Sequence, residues 1–395
     1  LSNDFSFKAK SFAMFKIKSF TALFILVLVF SCKEKEPAAP VSWSLDPTGE
    51  KIRLPLDEGT SNVSMGLEYF DGEKPLLFSS NMNTNSLQIY ALDAQSLLKE
   101  IRFEREGDQG VEVGHFHVQS LDSIFIFPEM RPFVILTDTS GTIKNRVRIE
   151  LPEGYPMIFV HNSYYVSPPV VNGKELIVKV RSEGSPNSMS QESLNNKKLL
   201  AAINLEDGSS RLLPFGFPAD YLSGGQKQFE FSASGVDGKT VVSFMGDHQV
   251  YFSKSEKEAL QSKPAKSQYL DETMPTFSKD VDGRGFSEYF FAKSRYESLI
   301  HDPYRDVFYR FAFPTVTVET DEELRALRST PGAFVVMVLD ADLNILTEKK
   351  FDGGTYLPRN FFVGEKGLYL SVNHPDNPEN TEDHLAFELF RLEGK

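Results

Sequence analysis

The sequence predicts an all-β fold, a six-bladed β-propeller, and three observations carry that prediction. Short β-rich runs follow one another along most of the chain, each bounded by turn residues. One unit recurs: an apolar strand often ending in Asp, a tight turn, then a charged strand. An N-terminal strand, "EKIRLPL", has no hairpin partner, while the last recurring unit lacks its outer strand. Pairing those two closes the ring and removes an exposed sheet edge.

Taken in order, the chain begins with a leader. Met14 opens a complete signal peptide, so residues 1–13 read as an over-extended start. Lys16 and Lys18 form the basic region, residues 22–30 the apolar region, and Ser31 the small residue at the cut. The apolar run of nine residues is short of the roughly 20 that a spanning helix needs. Cys32 follows directly and is the one cysteine in 395 residues. "VFSC" resembles the lipobox of bacterial lipoproteins, with Val29 and Ser31 fitting and Phe30 bulkier than usual. That resemblance implies a lipid on the Cys32 thiol and a mature chain starting there. Several acyl chains on one residue give stable membrane anchoring. A soluble secreted protein that discards Cys32 with its leader is the alternative. With its cysteine lipidated the domain has no disulfide, and its core must hold it together.

Residues 32–41 carry "KEKEPAAP", charged and then Pro/Ala-rich, which reads as a flexible tether. "KEKE" is a partial match to the acidic surface-export signal of Bacteroidota lipoproteins. Residues 42–395 form the propeller domain. The formal net charge is −13, and removing a leader with four lysines and one aspartate makes the remainder more acidic. Nucleic acid and anionic lipid surfaces are excluded as partners on that ground. The 34 Phe and 14 Tyr suit strands.

Six units follow, over 66–104, 115–151, 164–215, 229–270, 297–351 and 360–392, and a count of seven blades is the alternative. "LQIYALDAQSLLKEIRFE", "FVILTDTSGTIKNRVRIEL", "KLLAAINLEDGSSRLLPF" and "FVVMVLDADLNILTEKKF" are four instances of an inner strand, its turn and an exposed outer strand. "TDEELRALRS" predicts a helix, opened by Thr320 with acids in its first turn. "KSEKEAL" is a smaller helix candidate. The polar stretch 181–198 reads as a mobile loop, and 373–384 as another polar loop. Long loops on a rigid scaffold are where binding tends to sit.

The lipobox, the spare first strand and "YESLIHDPYRDVFYRFAFP" carry a family resemblance over roughly residue 43 to the C-terminus. The chain resembles the six-bladed, TolB-like β-propeller lipoproteins of Bacteroidota, a family known as a domain of unknown function. The resemblance implies a propeller in the cell envelope and no established activity.

Few residues point to chemistry. "HFH" puts His115 and His117 on one side of a strand, where a metal needs a third ligand. Half-buried strand histidines are the plainer reading. "HDPYRD" offers His301, Asp302, Tyr304 and Arg305 as a candidate ligand patch, with Arg305 able to clamp a carboxylate or sulfate. A turn between two blade strands is the plainer reading here as well. "DVDGRG" resembles half of a calcium loop without its distal acid, so a flexible turn is preferred. Nucleophile-elbow, zinc-protease, phosphate-loop and paired-cysteine motifs are lacking from the sequence. No catalytic residue, metal or cofactor is therefore assigned. The reading is a lipid-anchored envelope protein, outer membrane favoured, whose propeller binds or scaffolds an envelope protein, glycan or peptide. A propeller-fold glycan hydrolase or lyase working at the channel mouth is the alternative.

Overall fold

The computed structural model describes residues 41–395 except 108, 109, 130 and 237, so Cys32 and its lipidation lie outside the described residues. Strand-and-turn alternation along the chain produces six antiparallel sheets among them, each a four-stranded meander in sequence order or a close variant. Blade 1 uses Leu67–Asp71, Pro75–Asn81, Ser86–Ala91 and Ser96–Arg102. Blade 2 uses His115–Ser120, Ser123–Phe127, Phe133–Thr137 and Asn145–Arg148. Blade 3 is built on Glu175–Arg181, Leu200–Asn204 and Ser210–Leu212, with an inner edge in two pieces, Met157–Ile158 and Val170–Asn172. Blade 4 runs from Phe231–Val236 to Gln261–Pro264, and blade 5 from Arg295–Asp302 to Ile345–Phe351.

Blade 6 takes Leu357–Gly364, Gly367–Ser371 and His384–Gly394 from the C-terminus, and its outermost strand is Trp43–Pro55. That strand pairs antiparallel along His384–Gly394, with Trp43 opposite Gly394 and Pro55 opposite His384. The ring is six-bladed and closed by the unpartnered N-terminal strand, as the sequence predicts.

The core is not one body but a set of seams. The middle strands of each blade are apolar on both faces, because one face packs on the preceding blade and the other on the next. Phe78, Leu87, Phe116 and Ile126 fill the seam between blades 1 and 2. Tyr309, Phe311, Phe334 and Phe361 fill that between blades 5 and 6. The seam between blades 6 and 1, with Tyr90, Phe362 and Phe387, is the one that closure completes.

An up-and-down meander sends alternate connections to opposite faces. On one, the turn face, connections are short, for example 72–74, 121–122, 303–306 and 365–366. On the other, the loop face, lie the long connections 182–199, 213–230, 265–294, 314–333 and 372–383. Trp43 opposite Gly394 places the entry of the described chain on the turn face.

The helices belong to the loop face. They are α1 (Gln191–Asn195), α2 (Gly283–Ala292) and α3 (Asp321–Ser329). The Thr320 hydroxyl accepts from the Glu323 amide, and Glu323 accepts from the Thr320 amide, so α3 starts on the capping box its sequence announces. Three expectations are corrected. "KSEKEAL" forms no helix but the turn before Gln261–Pro264, where the Ser253 hydroxyl donates to the Ser255 and Glu258 carbonyls. The "DVDGRG" turn opens α2, because the Asp282 side chain accepts from the Gly285 amide at 2.7 Å. Stretch 181–198 is anchored rather than loose: it holds α1 and buries Met189 and Leu194 against Phe215 and Tyr221.

Candidate functional site

The gap between the two inner-edge pieces of blade 3 is filled by residues 159–169, which cross the central channel. The Asn162 side chain brackets the backbone of Phe116 in blade 2, accepting from its amide at 3.1 Å and donating to its carbonyl at 2.9 Å. Its own backbone bridges Gly66 at the start of blade 1. The Val166 amide donates to Ser298 Oγ of blade 5 at 3.2 Å, and Ser232 Oγ of blade 4 donates to the Val166 carbonyl. This plug is thus held by four blades besides its own. It lines a cavity at either end of the channel, through His161 and Tyr164 on the loop-face side and Asn162 and Val166 on the turn-face side.

The loop-face cavity is about 220 Å³ and is lined by His115, Glu129, Phe159, His161 and Tyr164 among others. The His161 ring lies 5.0 Å from that of His115 and 4.4 Å from both Phe159 and Tyr164, centroid to centroid. Burial pushes the His115 imidazole down to about 4, against a small opposing effect of Asn162. Burial also pushes His161 well down, helped by the Lys179 charge and by His115. Both rings are therefore neutral near pH 7. The Nδ1 atoms of His115 and His161 and the hydroxyl of Tyr165 are buried and have no hydrogen-bond partner among the described residues. Tyr165 is 1 % exposed and sits at φ 45°, in the left-handed region that a bulky side chain rarely adopts.

Two ion-pair clusters support this end. Glu297, 2 % exposed, receives Arg359 through Nε at 3.0 Å and Nη2 at 2.6 Å, with Arg295 Nε 3.9 Å away. Burial alone would raise the Glu297 carboxyl, but the Arg359 guanidinium overrides it and holds it below the usual carboxylate range. Lys179 Nζ reaches Glu230 at 3.2 Å and the Phe231 carbonyl at 2.7 Å, and lies 4.4 Å from the Phe231 ring centroid. Burial lowers the Lys179 ammonium from its ordinary value, with Glu230 pulling the other way.

The turn-face cavity, about 290 Å³, is lined from the inner strands of all the blades. His117, His301 and Tyr304 line it, so the structure brings those three sequence-predicted residues together and leaves His115 at the opposite end. His117 Nδ1 lies 2.8 Å from Glu68 Oε1; burial lowers its pKa, but the Glu68 carboxylate prevails and the net shift is upward. Asp302 is fully buried and anchors its own turn: it accepts from the Tyr304 and Arg305 amides, from Arg305 Nε at 2.6 Å and from the Tyr309 hydroxyl at 3.0 Å. Arg305 donates from its two terminal nitrogens to the Glu365 and Gly364 carbonyls, both at 2.8 Å, stitching blade 5 to blade 6. His301 Nε2 is 3.2 Å from Asp306 Oδ1.

Sequence reasoning missed His161, Tyr164, Tyr165, Glu68 and the Arg359–Glu297 pair. A usable signal was "HNSYYVSPPV", where polar and aromatic residues interrupt what would otherwise be an inner strand.

A family model described as a domain of unknown function (DUF4221) matches residues 47–350. No curated protein matches the chain by sequence. A solved structure of a DUF4221 member from Bacteroides vulgatus is similar at TM-score 0.81 and 24% identity, over 90% of this chain and 99% of that one. A protein from Bacteroides fragilis assigned as exported is similar at TM-score 0.53 and 10% identity, over 88% of this chain and 95% of that one. At these identities the structural likenesses speak for the fold alone. The family match spans well over half of the chain, and the protein belongs to the DUF4221 family of six-bladed β-propellers.

Proposed function

We propose that this protein is an exported, lipid-anchored propeller of the cell envelope that binds a ligand at the loop-face end of its channel. One observation carries the reading: the long insertions converge on the face where His115, His161 and Tyr164 line a cavity beside a strained Tyr165. The described chain enters on the opposite face, at Trp43 beside Gly394. Glu297, buried, and Glu230, half-buried, are each committed to a cation, and Glu129 in the cavity wall is exposed, which favours binding over acid–base hydrolysis of a glycan. The signal-peptide pattern and lipobox support the envelope location and a lipid anchor on Cys32, with the outer membrane favoured, and a structural neighbour is assigned as exported. An envelope protein, glycan or peptide is the expected ligand class.

The test compares wild type with Tyr164→Leu, both immobilised and exposed to solubilised envelope components. A species held by wild type and reduced at least about tenfold by the substitution, with unfolding midpoints unchanged, supports the reading. Equal retention by both proteins, or retention of nothing, overturns it.

A further inference from the structure

We propose that the turn-face cavity is a second, separate binding site, shaped for a small organic cation with an apolar body, of the arylalkylammonium kind. Beside His117, His301 and Asn162, its walls carry Tyr69, Tyr304, Phe361 and Phe362 together with Pro168 and Pro169. Tyr69 stacks on Phe362 with centroids 6.1 Å apart and meets Tyr304 edge-on at 6.3 Å. The Tyr304 hydroxyl is fixed on Asp71 Oδ2 at 2.9 Å, which presets its ring. No lysine or arginine lines the cavity among the described residues, and its one carboxylate is Glu68.

The position of Glu68 selects the ligand charge. Its Oε1 accepts from the Val118 amide at 3.1 Å and faces His117 Nδ1 at 2.8 Å. Its Oε2 is buried and accepts from nothing among the described residues. Glu68 lines the cavity, so an ammonium group held there would lie beside the one carboxylate of its wall. Aromatic faces attract the same cation through their quadrupoles and cover its apolar part. An anion would meet Glu68 with no cationic side chain except a protonated imidazole to offset it. A neutral alcohol would satisfy the acceptor without the charge, and the test separates these cases. The inference does not depend on the loop-face reading, because the two cavities lie at opposite ends of the channel.

The full chain is titrated with benzylammonium and, separately, with benzyl alcohol, which has the same ring without the charge. Benzylammonium is expected to bind at least about tenfold more tightly, the size of a desolvated cation–π contact with its counter-ion. Glu68→Gln is expected to erase that preference. Tyr304→Leu, at a surface turn and so a safeguard should Glu68→Gln fail to fold, is expected to weaken benzylammonium at least about fivefold. Equal affinity for the two ligands, no binding of benzylammonium, a preference that survives Glu68→Gln, or an affinity untouched by Tyr304→Leu overturns the proposal.

Discussion

His115 and His161 are imidazoles kept neutral by burial, and that has a stability consequence with a definite sign. The His115 pKa falls from 6.5 to about 4 on folding. Above pH 6.5 neither the folded nor the unfolded form holds the proton. Between those two values the unfolded chain binds it and the folded one does not, so stability falls as the pH falls. The loss from His115 amounts to about 3 kcal/mol across the window. His161, also lowered, adds in the same direction, whereas His117, with its raised pKa, adds stability on the acid side that is lost as the pH rises. Urea unfolding from pH 7 to 4.5 is expected to show a falling midpoint, and His115→Asn to flatten that slope; an unchanged slope counts against the assignment. Glu297→Gln leaves Arg295 and Arg359 without their shared counter-charge in a buried site. Removing one partner of a buried pair costs about 3–5 kcal/mol, and a loss below about 1 kcal/mol would mean the cluster is solvated like a surface pair. The sequence showed His115 and His117 as neighbours with one fate. It could not show that Asn162 comes between them, because that residue reaches Phe116 from another blade.

At the scale of elements, local signals were legible wherever the element is decided locally. Thr320 and Glu323 form a reciprocal cap, so α3 could be read from "TDEE". Thr320→Ala is expected to cost about 1 kcal/mol of helix stability. Because α3 lies on the rim, the loss should appear as roughly fivefold faster amide exchange within 321–329, with the global unfolding midpoint little changed. Helix α2 was not legible: Gly283 and Gly285 are poor helix formers, and what holds the helix is tertiary, with Tyr289 packed at 4.7 Å on Phe277. "KSEKEAL" erred the other way. Its composition suits a helix, but so short a piece cannot offset nucleation, and the Ser253 hydroxyl offers its carbonyls a turn instead. The broken inner edge of blade 3 has no sequence period at all, since the plug is defined by contacts to other blades.

For the whole molecule, the six repeats and the spare strand were legible because closure is a pattern problem: each blade needs an outer strand, and the last lacked one. The seam between blades 6 and 1 should therefore depend on the first strand. A chain lacking residues 43–55 leaves His384–Gly394 as a bare edge and opens the seam around Leu54, Leu385 and Phe387. It is expected to associate through that edge, which size-exclusion chromatography with light scattering would detect; a monomeric, fully folded truncation would show that closure is dispensable. What the sequence could not carry is the difference between the two faces of the ring, and the functional account rests on that difference. The most direct test places a photo-crosslinking residue at Glu129, beside the loop-face cavity, or at Asp122, at the turn-face end of the same hairpin, in cells making the full chain. The account predicts a discrete macromolecular adduct from position 129 and none from position 122. The same adduct from both positions, or one from position 122 alone, would contradict it.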